Sequence, residues 1–182
     1  MRPFIFYLLL FIFLGSCKKE TKTSLIFLDE YIIKDSISKN NSIIGGLSGI
    51  DYANKFYYFV VDDGKNPRFI KGEIHILKNK IASIDFKNVT FLNESITSFY
   101  KENALDLESI FVDEDTQEIN FVSEGSIRKN KSPSVFSTDI NGKLINIYEL
   151  PESFKDISNI KHNAVFEGSS KSIDKKGFWV AM

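Results

Sequence analysis

One cysteine, two histidines and one tryptophan are all that this 182-residue chain carries of those types. A lone cysteine excludes an internal disulfide and a thiolate-built metal site. Stability must therefore come from packing or from an ion held by oxygen. No charge of one sign prevails: 23 Lys and Arg face 24 Asp and Glu, for a net charge of −1. That balance argues against an electrostatic footprint for DNA or RNA, and no nucleic-acid partner is expected. The N-terminal apolar run, Phe4 to Leu14, falls well short of the ~20 residues a helix needs to cross a bilayer. No segment sustains a 3.6-residue period, so the pattern gives no support for amphipathic helices.

The short apolar run has another use. Arg2 precedes it, and Leu14-Gly15-Ser16-Cys17 closes it with a large apolar residue, two small ones and the only cysteine. This is the pattern of a bacterial lipobox, in which small residues let a peptidase reach the bond before the cysteine. Cys17 is then the lipidation site, and several acyl chains give the stable anchoring that one chain does not. The competing reading is an ordinary secretory signal with a chance cysteine. The expected organisation is a lipoprotein signal peptide over 1–16, a lipid-anchored tether over 17–23 and one domain over 24–182. The expected location is the cell envelope, anchored to a bacterial membrane and facing the periplasm or exterior.

What the chain has in quantity is aromatic and β-branched residues, with 17 Phe and 7 Tyr. These favour strands. Ser24 to Asp35 reads as a strand, and Lys55 to Val61 as a buried strand ending in Asp62-Asp63-Gly64. Arg68 to Leu77 and Lys80 to Phe86 read as a hairpin around Lys78-Asn79, with Val89 to Leu92 a further short strand. Ser109 to Val112 and Glu118 to Val122 flank a turn at Asp113-Glu114-Asp115-Thr116. Asn141-Gly142 is the strongest hairpin signal, between Ser134–Ile140 and Lys143–Leu150. A last hairpin begins at Ser172 and turns through Asp174-Lys175-Lys176-Gly177. The fold class is all-β.

Three of these stretches repeat one another. Leu47-Ser48-Gly49-Ile50 precedes Phe59-Val60-Val61-Asp62-Asp63-Gly64. Leu107-Glu108-Ser109-Ile110 precedes Phe121-Val122-Ser123-Glu124-Gly125. Phe166-Glu167-Gly168-Ser169 precedes Phe178-Trp179-Val180-Ala181-Met182. Ser48 to Glu108 is 60 positions and Glu108 to Glu167 is 59, while Ser48 to Asp63 is 15 and Glu108 to Glu124 is 16. A repeated unit of short strands points to β-propeller blades, which take ~40–45 residues each with ~4–8 blades to a closed ring. At the spacing here the chain holds too few blades to close, so an incomplete propeller is expected, about half of one. The apolar last strand, Gly177 to Met182, reads as an open edge. The expectation is that this is the N-terminal half of a longer protein. The alternative is a short protein whose last strand pairs across the molecule.

Equivalent positions of propeller blades converge at one mouth of a central channel. Asp62, Asp63, Glu108, Glu124 and Glu167 are therefore candidate metal ligands, with Asp106 two residues before Glu108. Like charges brought together raise one another's pKa unless a cation neutralises them. Hard oxygen ligands without His or Cys suit calcium or magnesium, and calcium is the better fit for an exported protein. The alternative for each acid is a turn cap or a lysine pair. Arg68 is a candidate for a substrate anion, against a salt bridge to Asp62 or Asp63. Asn163 is a second substrate-binding candidate, or a turn cap, and the adjacent His162 a weaker general base. Gly45-Gly46-Leu47-Ser48-Gly49 is not a G-x-S-x-G elbow, because leucine holds the first glycine position, so Ser48 is not read as a hydrolase nucleophile.

Taken in order, these motifs resemble the phytase-like family described as "esterase-like activity of phytase". The pieces are Gly45-Gly46-Leu47-Ser48-Gly49-Ile50-Asp51-Tyr52, Val61-Asp62-Asp63-Gly64 with Arg68, Asp106-Leu107-Glu108-Ser109-Ile110, Ser123-Glu124-Gly125, Leu150-Pro151, and Asn163 with Phe166-Glu167-Gly168. The resemblance implies a propeller-like fold in a longer, exported protein, with an acidic, calcium-linked site. The chain departs from it at small residues: Ser109 and Phe111 stand after Glu108, and Ser169-Ser170 after Gly168, where the family has glycine, alanine or leucine. The reading this supports is a calcium-dependent hydrolase of a small anionic ester or phosphoester, with Glu108 and Glu167 as catalytic candidates. Alternatives are a non-catalytic binding propeller with a structural ion, or an inactive fragment.

Overall fold

Dense apolar runs broken every five to ten residues by Asn, Asp and Gly dictate short antiparallel strands, and the computed structural model has them. It describes residues 23–34, 37–100, 105–161, 165–174 and 176–182. A minimal hairpin, β1 (Ser38–Lys39) and β2 (Ser42–Ile43), leads into a four-stranded sheet. That sheet comprises β3 (Leu47–Ala53), β4 (Phe56–Val61), β5 (Arg68–Leu77) and β6 (Lys80–Phe91), each antiparallel to the next. Its two tightest turns, Asn54-Lys55 and Lys78-Asn79, hold both residues at positive φ, the backbone a two-residue hairpin turn needs. A second sheet follows in the same order: β7 (Leu107–Val112), β8 (Ile119–Ser123), β9 (Ser134–Thr138) and β10 (Leu144–Ile147). A third unit begins with the hairpin β11 (Gly168–Lys171) and β12 (Phe178–Ala181).

The sheets stack like blades, and the strand period explains how. Adjacent residues of a strand point to opposite faces. In β8, Phe121 packs into the core shared with the first sheet, beside Val60, Phe69 and Phe136. Its neighbour Val122 packs the other way, with Val135, Phe166, Phe178 and Val180, into the core shared with the third unit. Strands covered on both faces read as continuous apolar runs, as β4 and β8 do. The result is an all-β, propeller-like array whose sheets do not close into a ring.

The innermost strands β3, β7 and β11 lie side by side and are tied by polar bonds. Ser48 Oγ donates to the Leu107 carbonyl at 2.6 Å, and the Ser109 and Ser169 hydroxyls share a bond of 2.7 Å. Asp51 accepts the Val112 N–H at 2.8 Å and pairs with Lys171 Nζ at 3.1 Å, joining all three strands. Val112 is buried, so Asp51→Ala strands its amide and should cost about 1–3 kcal/mol in chemical denaturation. A loss under 0.5 kcal/mol would mean that water replaces the carboxylate there.

Three expectations need correction. Residues 23–34 form no strand; they run as irregular chain, with Asp29 accepting the Ile81 N–H at 2.8 Å on β6. Val89 to Leu92 is not a separate strand, because β6 continues unbroken through Val89 to Phe91. A short helix, α1 (Glu94–Tyr100), stands where the pattern gave none. Asn93 starts it by accepting from the Ser95 N–H at 3.0 Å, a side-chain cap that a periodicity test does not register. The lipidation candidate Cys17 and the leader lie outside the described residues.

Candidate acidic site at the blade mouth

β3 and β7 each begin with the same irregularity. Leu47 pairs with Val61 and Gly49 with Val60, so Ser48 is an extra residue. Leu107 pairs with Ser123 and Ser109 with Val122, so Glu108 is an extra residue too. Such bulges re-aim a side chain at a strand end. In the third unit Glu167 donates its N–H to the carbonyl of Ala181, which is also the partner of Gly168. The repeat therefore places Ser48, Glu108 and Glu167 at one structural position.

The strand register refines the other half of the repeat. Asp62 donates its N–H to the Gly46 carbonyl at 2.8 Å, and Glu124 donates to the Asp106 carbonyl at 3.1 Å. The partner of Glu124 is thus Asp62, not Asp63. Counting along the sequence misplaces it because Ser48 to Asp62 is 14 positions and Glu108 to Glu124 is 16: the β7–β8 turn has six residues, Asp113 to Glu118, against two in the β3–β4 turn, while β3 and β4 are each one residue longer than β7 and β8.

Asp62, Asp106 and Glu108 each offer an oxygen, and the three oxygens lie within 4.8 Å of one another. Asp62 is exposed, Asp106 and Glu108 are half-buried, and Glu124 is buried. Burial is the main reason the Asp106 carboxyl is pushed up to about 7; a hydrogen bond with Asp62 and the charges of Asp62, Glu108 and Glu124 add to it. Glu108 also rises to about 7, again from burial first and then from Asp62, Glu167 and Glu124. Five carboxylates from three units thus share one electrostatic neighbourhood, as repeat convergence requires.

Asp63 does not belong to this group of three. Its Oδ2 meets Arg68 Nη1 at 2.6 Å, and its Oδ1 accepts the N–H groups of Lys65 at 3.1 Å and Asn66 at 3.2 Å. Those bonds outweigh the desolvation and hold its pKa below the ordinary value. Arg68 is itself buried, with a further bond of 2.8 Å to the Asn66 carbonyl. Asp106, noted beside the five candidate ligands but not counted among them, takes the place of Asp63 in the trio. The signal for it was Asp106-x-Glu108, two acids at one strand start. Asn163 and His162 lie outside the described residues. A cleft of about 280 Å³ walled by Phe111, Tyr148 and Phe178 is lined by none of the five acids.

The model of the family described as "Phytase-like: Esterase-like activity of phytase" matches residues 42–182. The chain belongs to the phytase-like family. No curated protein and no solved structure matches it. The family match begins at β2 and covers every blade strand and all five clustered acids of this phytase-like domain.

Proposed function

We propose that this phytase-like domain is a calcium-dependent hydrolase of a small anionic ester or phosphoester, carried on an exported lipoprotein anchored through Cys17. The observation that carries the reading is the trio Asp62, Asp106 and Glu108, with oxygens within 4.8 Å of one another. Calcium–oxygen bonds run ~2.3–2.6 Å, so two oxygens on one ion lie at most ~5 Å apart. The donor set also fits, being all carboxylate with no soft ligand. Asp62, Asp106 and Glu108 would hold the ion, with Glu124 and Glu167 beside them. Bound calcium would supply positive charge to polarise the ester and lower the pKa of water.

The chain's own residues divide the remaining work. Glu167 is exposed and its charge acts on Glu108; in this reading it would accept a proton from water as the water oxygen bonds to phosphorus or carbonyl carbon. That proton then returns to the departing alkoxide, so the products are an alcohol and an acid. Asn163 is the candidate for orienting the substrate. A second reading, a binding module with a structural ion, is favoured by Arg68, which is buried and committed to Asp63.

The test measures hydrolysis of p-nitrophenyl phosphate and of the anionic carboxylic ester mono-p-nitrophenyl succinate with and without calcium, alongside calcium affinity by calorimetry. Calcium-dependent turnover should fall by ~10²–10⁴ in Glu167→Gln while calcium affinity changes little. Tight calcium binding with no turnover of either ester would favour the binding module.

A further inference from the structure

The motif Gly46-Leu47-Ser48-Gly49 gives no carboxylate to the phytase-like site, yet three of its four residues meet the backbone that carries the acidic trio. The Gly46 carbonyl accepts the Asp62 N–H at 2.8 Å. Ser48 Oγ donates to the Leu107 carbonyl at 2.6 Å, and Leu107 is the residue between Asp106 and Glu108. At Gly49 the two strands come closest: a Cβ there would stand 3.0 Å from the Glu108 carbonyl oxygen and 3.0 Å from Ser109 Cα. Both are backbone atoms, so a side chain at position 49 would force β3 and β7 apart at the site. One segment of the first blade thus fixes backbone on both sides of the trio, Asp62 in its own blade and Asp106 to Glu108 in the next.

The repeat shows what sets Ser48 apart. It holds the position that Glu108 and Glu167 hold in the other units, at the head of an inner strand. A glutamate there carries its charge out beyond the strand. The serine side chain ends one atom past Cβ and bonds the backbone of the neighbouring blade instead. The first unit therefore has a tie where the others have an acid. A tie has work to do at this place. The oxygens of Asp62, Asp106 and Glu108 lie within 4.8 Å of one another, and ionised carboxylates that close repel. Only the backbone beneath can hold them together before an ion arrives. The Glu124 N–H on the Asp106 carbonyl, at 3.1 Å, secures the same segment from β8, so Ser48 is the bond across the blade boundary.

We propose that Ser48 is a positioning residue for the ion site: its hydroxyl, acting through the Leu107 carbonyl, sets where Asp106 and Glu108 stand relative to Asp62. The proposal rests on the reading of the trio as a calcium site. Ser48 touches neither ion nor substrate, and its hydroxyl proton is committed to Leu107. Groups that orient metal ligands from one step away commonly change metal affinity by ~10–100-fold when they are removed.

Calorimetry with calcium alone tests this on the full chain in detergent, beside urea midpoints in calcium-free buffer. Ser48→Ala should weaken calcium binding by ~10–100-fold, and Ser48→Thr, which keeps the hydroxyl, should recover most of the loss. A bond that serves the architecture alone would lower the urea midpoint of Ser48→Ala and leave calcium affinity unchanged, and that result would overturn the proposal. Should Ser48→Ala not fold, Ser48→Cys decides, since a thiol is close in shape but a weak donor and should show the same loss of affinity. If the unaltered chain binds no calcium, the proposed function fails, and the tie is judged without metal. At pH 8 the Ser48 bond works against the repulsion of the carboxylates it holds. Ser48→Ala should then lower the calcium-free urea midpoint more in a Glu108→Gln chain, where one charge is gone, than in the unaltered chain. Equal losses in the two backgrounds would overturn the proposal, because Ser48 would not be holding those carboxylates together.

Discussion

In the absence of calcium, stability should fall as pH rises from about 4.5 to above 7, and millimolar calcium should reverse that trend. Asp106 and Glu108 have ordinary values of 3.8 and 4.5 and rise to about 7 in the folded chain. A carboxyl raised on folding binds its proton more tightly in the native state. Its contribution is complete below the unfolded pKa and is lost as pH climbs through the folded one. The two groups share neighbours, so they titrate as a coupled set and the loss is spread across the window. Asp63 works oppositely and in a separate range: its lowered pKa makes stability fall only at pH values below the ordinary carboxyl range.

Calcium competes with those same protons. Its stabilising effect should be small at pH 5 and large at pH 8, where the carboxylates are free to bind. At a hundredfold excess over Kd the gain is about 2.7 kcal/mol. Thermal melts at the two pH values, with and without calcium, read both effects. Glu108→Gln should flatten the calcium-free pH dependence and remove most of the calcium gain. An equal calcium shift at pH 5 and pH 8 would place the ion elsewhere, and no shift at either would sink the calcium reading at that concentration.

Most of the architecture was legible because it is written in turns and two-sided strands. Asn141-Gly142 and Lys78-Asn79 mark their hairpins unambiguously, and the runs Phe56–Val61 and Ile119–Ser123 announce strands buried on both faces. The acidic site was legible through repetition alone, since Glu108 and Glu167 recur at one position of the unit. Two features were not. The alignment of Asp62 with Glu124 depends on turn lengths that differ by four residues, which counting cannot resolve without the strand register. The commitment of Arg68 to Asp63 depends on burial: a five-residue separation in sequence fits either a salt bridge or a free cation, and the 2.6 Å contact inside the sheet decides between them. Residues 23–34 misled for a physical reason as well. Their apolar pattern encodes a strand, but among the described residues they join no strand ladder; Asp29 accepts the Ile81 N–H and Ile33 packs on the face of the first sheet.

Phe121→Ala should be the most damaging single truncation, costing about 3–5 kcal/mol of a total that for a domain is ~5–15 kcal/mol. Phe121 is fully buried at the centre of the core between the first two blades. Its ring lies 5.8 Å from that of Phe69 and 5.4 Å from that of Phe136, so removing it opens a cavity bordered by both sheets. Phe178 provides the comparison. It touches Phe111 and Tyr148, each at 5.0 Å, but remains half-exposed, and Phe178→Ala should cost less than half as much. Phe121 also pairs with Ile110 in β7, two residues from Glu108 and four from Asp106. The same variant should therefore weaken calcium binding, whereas Phe178→Ala should leave it nearly intact. Urea midpoints and calcium titrations of both variants separate the two effects, and a Phe121→Ala loss no larger than that of Phe178→Ala would show that the blades do not share one core.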